Sequence, residues 1–398
     1  MTTSRCTLAA ALVISCATAA TAQSTTPSNQ TSVQDIVTFL VTNQGVVTSD
    51  FDKDRAAAEA TRVTLSNALL ASITTVPVSS SSSGFSYRLN RTLGTVERAS
   101  DTFGPFYVER ALTAGAGEAS LGFNFRYAKF TSLDGNDLTN GSFVTVANQF
   151  TDEPQPFDTE TLTLNVKTTT ATVFGNVGVT DRIDVGGSVP FIRLDISGAR
   201  VNDYRGTTAL LARATAETTG LGDVALRSKV RLTPDGPGAV AAGVEARLPT
   251  GREEDLLGTG QLAMRYTALA SYETGPTSVY GNFSIGHGGI GREVAYSAAL
   301  AAAATPRLTL VGEVLARQID GLQRIGPVVA PHPRIAGVTT TRLMPTGENE
   351  MTAYAVAGFK WNVAGTWLLH GHVLVPLVDN GLTAHFTPTI TLDYTFAK

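Results

Sequence analysis

The chain has 398 residues, of which 43% are hydrophobic and 16% charged, with 38 glycines and a formal net charge of −4. The charged fraction is well under the roughly 25% of ordinary soluble domains, yet the apolar content is too high for a disordered chain. A sequence pI near 5.8 argues against a nucleic-acid binder. No stretch after the N-terminus approaches the ~20 apolar residues of a membrane-spanning helix.

Residues 1–22 are expected to be an export signal. Arg5 gives a basic start, Leu8 to Ile14 an apolar core, and Ala20-Thr21-Ala22 a small-x-small cleavage pattern. Processing at Cys16 is an alternative, because Val13-Ile14-Ser15-Cys16 resembles a lipoprotein box. The two cysteines, Cys6 and Cys16, both precede Ala22, so a chain cut there has neither disulfides nor thiolate metal sites. Its stability must then come from hydrogen bonding and packing, which a closed β-barrel supplies because no strand edge is left over.

Residues 23–117 are predicted to form a short, partly helical N-terminal unit. Val33, Ile36, Val37 and Leu40 fall at helical spacing, and Asp54 to Ile73 is rich in Ala, Arg and Leu. A serine run, Ser79 to Ser83, reads as a flexible link, and Phe85–Leu89 with Thr95–Ala99 as a hairpin. The unit is either a periplasmic extension or a plug entering the barrel.

From about residue 118 to 398 the pattern has period two. Val224, Leu226, Val230 and Leu232 share one face; Asp223, Arg227, Lys229 and Arg231 share the other. After the turn Thr233–Gly238, Val240, Ala242, Val244, Ala246 and Leu248 alternate with Ala241, Gly243, Glu245 and Arg247. Strands are predicted near 119–130, 159–179, 183–196, 222–233, 239–248, 260–272, 278–287, 294–304, 307–318, 351–361, 367–377 and 384–396. Most are close to the 9–11 residues with which a tilted strand crosses hydrocarbon. Tight turns alternate with longer connections at 131–158, 197–221, 249–259 and 319–350, as in bacterial outer-membrane barrels. The fold predicted is therefore all-β: a transmembrane antiparallel up-and-down barrel of about 12 strands, or 14 if residues 85–112 join the wall. In the last strand, Phe386, Ile390, Leu392, Tyr394 and Phe396 oppose His385, Thr387, Thr389, Thr391, Asp393 and Thr395. Such a strand resembles the segment read by the barrel-assembly machinery. Tyr266, Tyr272, Trp361, Trp367 and Phe396 fall near strand ends on the apolar face, where interfacial aromatics belong.

Arg126, Arg227, Lys229, Arg231, Glu245, Arg247, Arg265, Glu313, Arg317, Lys360 and Asp393 take the inward phase. Either they form a solvated, cross-linked wall, or their cationic excess makes a constriction selective for anionic or polarisable solutes. His370, His372 and His385 are also expected inward, as polar wall residues, because their spacing does not converge on one metal. Asp134-Gly135-Asn136-Asp137 reads as an acidic turn. His287, outward near an external loop, has no serine placed beside it, and no Walker, Rossmann or zinc-protease spacing occurs. No enzymatic activity, cofactor or metal is expected.

Gly220-Leu221-Gly222-Asp223, Lys229-Val230-Arg231-Leu232, Leu248-Pro249-Thr250-Gly251 and Gly258-Thr259-Gly260 resemble segments of the outer-membrane family labelled "phenol meta-degradation pathway". Val179-Thr180-Asp181-Arg182-Ile183 and Val189-Pro190 are similar to its earlier hairpin. The resemblance covers roughly residues 105–396 and is broadly fatty-acid-transporter-like. It implies passive uptake of small, often hydrophobic or aromatic compounds across the outer membrane of a Gram-negative bacterium, and transfers no binding residue. The expected partners are outer-membrane lipid, a small-molecule solute and the assembly machinery. The alternative is a plugged structural or ligand-binding barrel whose external loops recognise a partner.

Overall fold

The computed structural model describes residues 32–42, 51–74, 87–90, 95–98, 100–234, 236–332 and 334–396. The expected signal at 1–22, both cysteines and the serine run lie outside the described residues. Helices α1 (Val33–Thr42) and α2 (Phe51–Thr74) come first, then the strands β1 (Tyr87–Asn90), β2 (Thr95–Arg98), β3 (Ala119–Leu133), β4 (Asn136–Asp137), β5 (Phe143–Phe150), β6 (Asp158–Thr180), β7 (Ile183–Tyr204), β8 (Thr207–Leu221) and β9 (Val224–Arg231). They continue as β10 (Gly238–Leu248), β11 (Ala263–Thr274), β12 (Thr277–Gly288), β13 (Arg292–Thr305), β14 (Leu308–Pro331), β15 (Val338–Ala364), β16 (Trp367–Pro376), β17 (Leu382–Ala384) and β18 (Thr387–Phe396).

Twelve of these close an antiparallel ring with four further strands attached. The ring runs β3, β6, β7, β9 to β16 and β18, and β18 returns to β3. β1 and β2 make a separate two-stranded sheet, so the wall has twelve strands and not fourteen. The closing seam pairs Thr389 with Arg126 and Phe396 with Ala119.

Alternation explains the wall. Leu226 is 51% exposed and Ile390 53% on the outside, whereas Lys229 and His372 are each 4% exposed inside. A continuous band of exposed Leu, Val, Phe and Tyr around a closed ring is far beyond the few hundred Å² of apolar patch a monomeric soluble protein tolerates, and it is the surface of a lipid-facing barrel. Trp367 packs on Tyr394 at 4.8 Å, and Tyr394 on Phe396 at 4.8 Å, an aromatic cluster at the short-turn rim.

Three wall strands are far longer than the sequence pattern suggests, β7 with 22 residues, β14 with 24 and β15 with 27, while β6 has 23, close to the expected 159–179. Residues 197–221 and 319–350, expected to be loops, are instead hairpin arms rising from the long-loop rim, and 131–158 contains β5. Above the rim the arms and β5 form one curved sheet in the order β14–β15–β5–β6–β7–β8. The physical reason is an exchange of faces. Along β6, inward Thr168, Thr170 and Asn176 give way to inward Leu162, Leu164 and Val166, and outward Val173 and Val177 give way to outward Thr163 and Lys167. β7 makes the same switch, from outward Val185 and Phe191 to inward Ile192, Leu194 and Ile196. Lipid wets the lower outer surface and water the upper one, so the apolar side turns inward where the membrane ends.

That inward apolar face is covered by the N-terminal helices. Val33, Val37, Leu40 and Val41 of α1, with Leu65, Leu69 and Ile73 of α2, share one buried cluster with Leu162, Leu194, Leu343 and Leu382. At about 1.5–3 kcal/mol per fully buried aliphatic side chain, this cluster is enough to hold both helices inside the mouth. Arg200 stitches the layers together: its Nε donates to Glu160 at 2.8 Å and another nitrogen donates to the Val41 carbonyl. Asp158 takes hydrogen bonds from Asn148 (3.0 Å) and Asn202 (2.7 Å), tying β5, β6 and β7 together.

Candidate lumenal site

Residues 103–114 run along the inner wall near the short-turn rim. Phe106, Tyr107 and Val108 pack on Tyr280, Ala299, Ala301, Val311, Leu315 and Val356, while Ala111 and Leu112 pack on Ala239, Ala241 and Leu269. The alanines matter: small side chains leave the wall hollow where this segment lies.

Charged wall residues grip its backbone. Lys360 Nζ donates to the carbonyls of Phe103 (3.3 Å) and Pro105 (2.6 Å). Lys229 Nζ donates to those of Arg110 (3.1 Å) and Leu112 (2.8 Å) and lies 3.5 Å from Asp184. Glu313 accepts the amides of Phe106, Tyr107 (3.0 Å) and Val108 (3.2 Å). The Arg110 side chain pairs with Glu273 (Nε–Oε1 3.2 Å), both fully enclosed. The segment ends where Gly117 donates to the Gly178 carbonyl at 2.7 Å and Gly178 donates back to Glu118 at 2.8 Å. A Cβ on Gly178 would overlap the Gly115 backbone, so glycine is required for that approach.

Between this segment and α2 lies a cavity of about 170 Å³ whose lining includes Tyr107, Glu109, Arg126, Asp184, Arg265, Arg317 and Tyr354. Its carboxylates are matched: Glu109 to Arg227 at 3.2 Å, Asp184 to Lys229, and Glu293 to Arg265 at 2.8 Å, while Glu245 pairs with Arg247 at 2.8 Å. Arg317 donates to Thr352 Oγ1 (3.1 Å) and to the Ala71 carbonyl of α2 (3.1 Å).

The structure thus places Arg227, Lys229, Glu245, Arg265 and Arg317 on the cavity, with Arg247 beside it. Glu313, His370 and His372 sit around the backbone of residues 103–108. Arg231 is buried at the end of β9, away from that lining. His370 Nε2 is 3.2 Å from Asp393, and His372 Nε2 is 2.9 Å from the Tyr107 hydroxyl, its ring stacked on Phe106 at 4.2 Å. His385 corrects the expectation of an inward wall residue. It is exposed in the break between β17 and β18, because β17 leaves β16 to pair with β3 and the register shifts at Thr383/Ala384.

The cationic excess read from the sequence is smaller in the folded chain. Asp184, Glu293, Glu109 and Glu273 supply counter-charge. Asp184 and Glu293 were detectable, since each alternates with outward apolar neighbours. Glu109, Arg110 and Tyr107 carry no such signal, because residues 103–114 have no periodicity.

The glycine motifs also converge. The Asp223 carboxylate accepts the amides of Gly251 (3.0 Å) and Thr259 (2.8 Å) and the Thr259 hydroxyl (3.0 Å), and Thr250 Oγ1 donates to the Gly222 carbonyl at 2.8 Å. Gly251 and Gly258 touch backbone to backbone, with no room for a Cβ on either. This knot folds the 249–262 loop back over the lumen, where Leu256 and Leu257 join the cluster holding α1. The acidic turn is likewise self-satisfied. Asp134 accepts the amides of Ile325 (2.7 Å) and Gly381 (2.8 Å), and Asp137 those of Thr139 (2.6 Å) and Asn140 (3.2 Å). The Thr139 amide and hydroxyl hold the Asp137 carboxyl below the usual carboxylate range. Outside, His287 stacks on Tyr266 at 6.0 Å.

No family model and no curated protein sequence matches the chain. Among solved structures it is similar to the KdgM porin in complex with disordered oligogalacturonate, at 5% identity and a TM-score of 0.36, over 69% of this chain and 99% of that one. It is similar to the NanC porin at 5% identity and a TM-score of 0.34, over 69% and 100%. It is also similar to the translocator domain of autotransporter NalP from Neisseria meningitidis, at 10% identity and a TM-score of 0.35, over 71% and 89%.

Proposed function

We propose that the chain is an outer-membrane barrel for passive uptake of small, hydrophobic or aromatic molecules, with residues 23–117 as a plug that must shift for solute to pass. In this reading the short turns face the periplasm and the arms face outward, export uses the signal at 1–22, and insertion uses the assembly machinery acting on β18. The observation that carries it is the origin of the closure. Among the described residues, helices α1 and α2 and residues 103–114, which lie inside the barrel, all precede its first wall strand, and 103–114 rest partly on the small residues Ala239, Ala241, Ala299 and Ala301. An obstruction that is one segment can move as one; a lumen filled by its own wall cannot. The resemblance to the phenol meta-degradation family supports the same reading and suggests hydrophobic or aromatic solutes.

A second reading, a permanently plugged structural or ligand-binding barrel, is favoured by one observation: the Arg110–Glu273 pair is enclosed, and separating such a pair is expensive. Conductance in planar bilayers and solute flux into liposomes decide between them. Full-length protein should pass solute slowly, and protein lacking residues 23–117 should pass it many-fold faster. A truncated barrel that still shifts on gels after boiling, yet remains impermeable, refutes uptake.

A further inference from the structure

The lining of the lumenal cavity includes Arg126. Its carboxylates are matched to Arg227, Lys229, Arg247 and Arg265, and none of these contacts involves Arg126. Arg126 stands on the inward face of β3, Tyr107 and Tyr354 share the cavity lining with it, and Arg247 adds further positive potential. Its cross-strand neighbours are Thr170 on β6 and Thr389 on β18. The Thr170 hydroxyl is buried and meets no hydrogen-bond partner among the described residues. A buried hydroxyl without a partner is expensive, and Thr170 stands opposite Arg126 in the β-ladder. The cavity lining thus holds a planar fork suited to a carboxylate and the phenols of Tyr107 and Tyr354, with Thr170 and Thr389 on the strands to either side.

The lining changes character just above. Ala128 and Phe130 follow Arg126 on the same strand face, and Leu374, Leu382 and Ala384 continue the apolar lining. The cavity, at about 170 Å³, lies below the ~300–1,000 Å³ of drug-sized pockets, which suits a compact ligand.

We propose that this cavity is a binding site for a small monocarboxylate with a compact apolar body, the carboxylate held by Arg126 with Thr170, Thr389, Tyr107 and Tyr354, and the body lying on Phe130 and Leu374. The inference rests on the lumen being a solute path, and it names the chemical class that path retains. Charge selects the head, because an arginine outside the carboxylate pairs of the cavity gains most from an anion that restores neutrality. The apolar lining then discriminates against fully hydrophilic anions.

Equilibrium binding of benzoate to the full-length protein in detergent at neutral pH tests this, with benzamide as the uncharged isostere and acetate as the head without the body. Benzoate should bind at least tenfold more tightly than either. Arg126→Gln should lower benzoate affinity at least tenfold and leave benzamide unchanged, while Arg126→Lys should retain part of it. Equal binding of benzoate and benzamide, or full benzoate affinity in a folded Arg126→Gln protein, overturns the assignment. If Arg126→Gln does not fold, the benzoate-to-benzamide ratio of the unaltered protein decides, together with Thr170→Val, which should weaken benzoate several-fold. Failure here is separable from failure of the uptake reading. Benzoate binding without flux removes uptake and keeps the site; flux of neutral solutes without benzoate preference removes the site and keeps uptake.

Discussion

Replacing Arg110 by glutamine should release the segment at residues 103–114 from the wall. Arg110 and Glu273 are both fully enclosed, so the substitution leaves a carboxylate buried without its cation. Breaking a buried pair from one side costs about 3–5 kcal/mol, and each 1.36 kcal/mol is a factor of ten in an equilibrium. The population in which the segment has left the wall should therefore rise by roughly 10²–10³-fold or slightly more. The contacts of Lys360, Lys229 and Glu313 are unaffected, so the change reads as a shift in one opening equilibrium. A cysteine at Val108, fully buried against Val311 and Val356, reports that opening through its rate of maleimide modification, with Cys6 and Cys16 replaced by serine. The labelling rate of Val108→Cys should increase by that factor when Arg110→Gln is added, with the heat-shifted gel mobility of the barrel preserved. Rates agreeing within twofold would refute the idea that this pair clamps the segment.

Asp223→Ala strands two amides and a hydroxyl, at about 1–3 kcal/mol per buried group, so hydrogen exchange in the 249–262 loop should accelerate at least tenfold, with Asp223→Asn recovering part; unchanged protection would remove the knot from the argument. Leu40→Ala opens a cavity in the cluster under the arms, at about 2–5 kcal/mol, and should speed exchange across Val33–Thr42 while the barrel still shifts on boiling. Nitroxides at Leu226, Phe283 and Ile390 should be relaxed more by oxygen than by a water-soluble nickel chelate. The opposite order at these outward positions would deny the lipid-facing band.

The twelve wall strands and their turns were legible because lipid and lumen impose opposite chemistry on alternate residues, and strands such as β9, β10 and β18 obey it throughout. The arms were hidden by the same rule. At about Thr168 and Phe191 the apolar residues change sides; the predicted strands 159–179 and 183–196 run past the switch, but residues 197–221 beyond it no longer keep the phase of the wall and read as a loop. Proline and glycine at Gly321, Gly326, Pro327, Pro345 and Gly347 further disguised the β14–β15 arm as a loop. His385 was misplaced because its register with Pro376 is right in number, but the strand has already broken there. The wall's charged residues could be phased, whereas their partners on residues 103–114 could not: an irregular segment held by its backbone amides and carbonyls leaves no side-chain pattern to read.

The ring is sealed by its first and last strands, β18 against β3, and β3 starts at Ala119, a few residues beyond the stretch 103–114 that lies along the inner wall. The helices at the opposite mouth belong to still earlier residues. Arg227 of the wall pairs with Glu109 of the inner stretch, so wall and leading portion are joined inside the ring. Opening the seam would free the wall strand to which the inner stretch is covalently joined, so hoop and cargo share one joint.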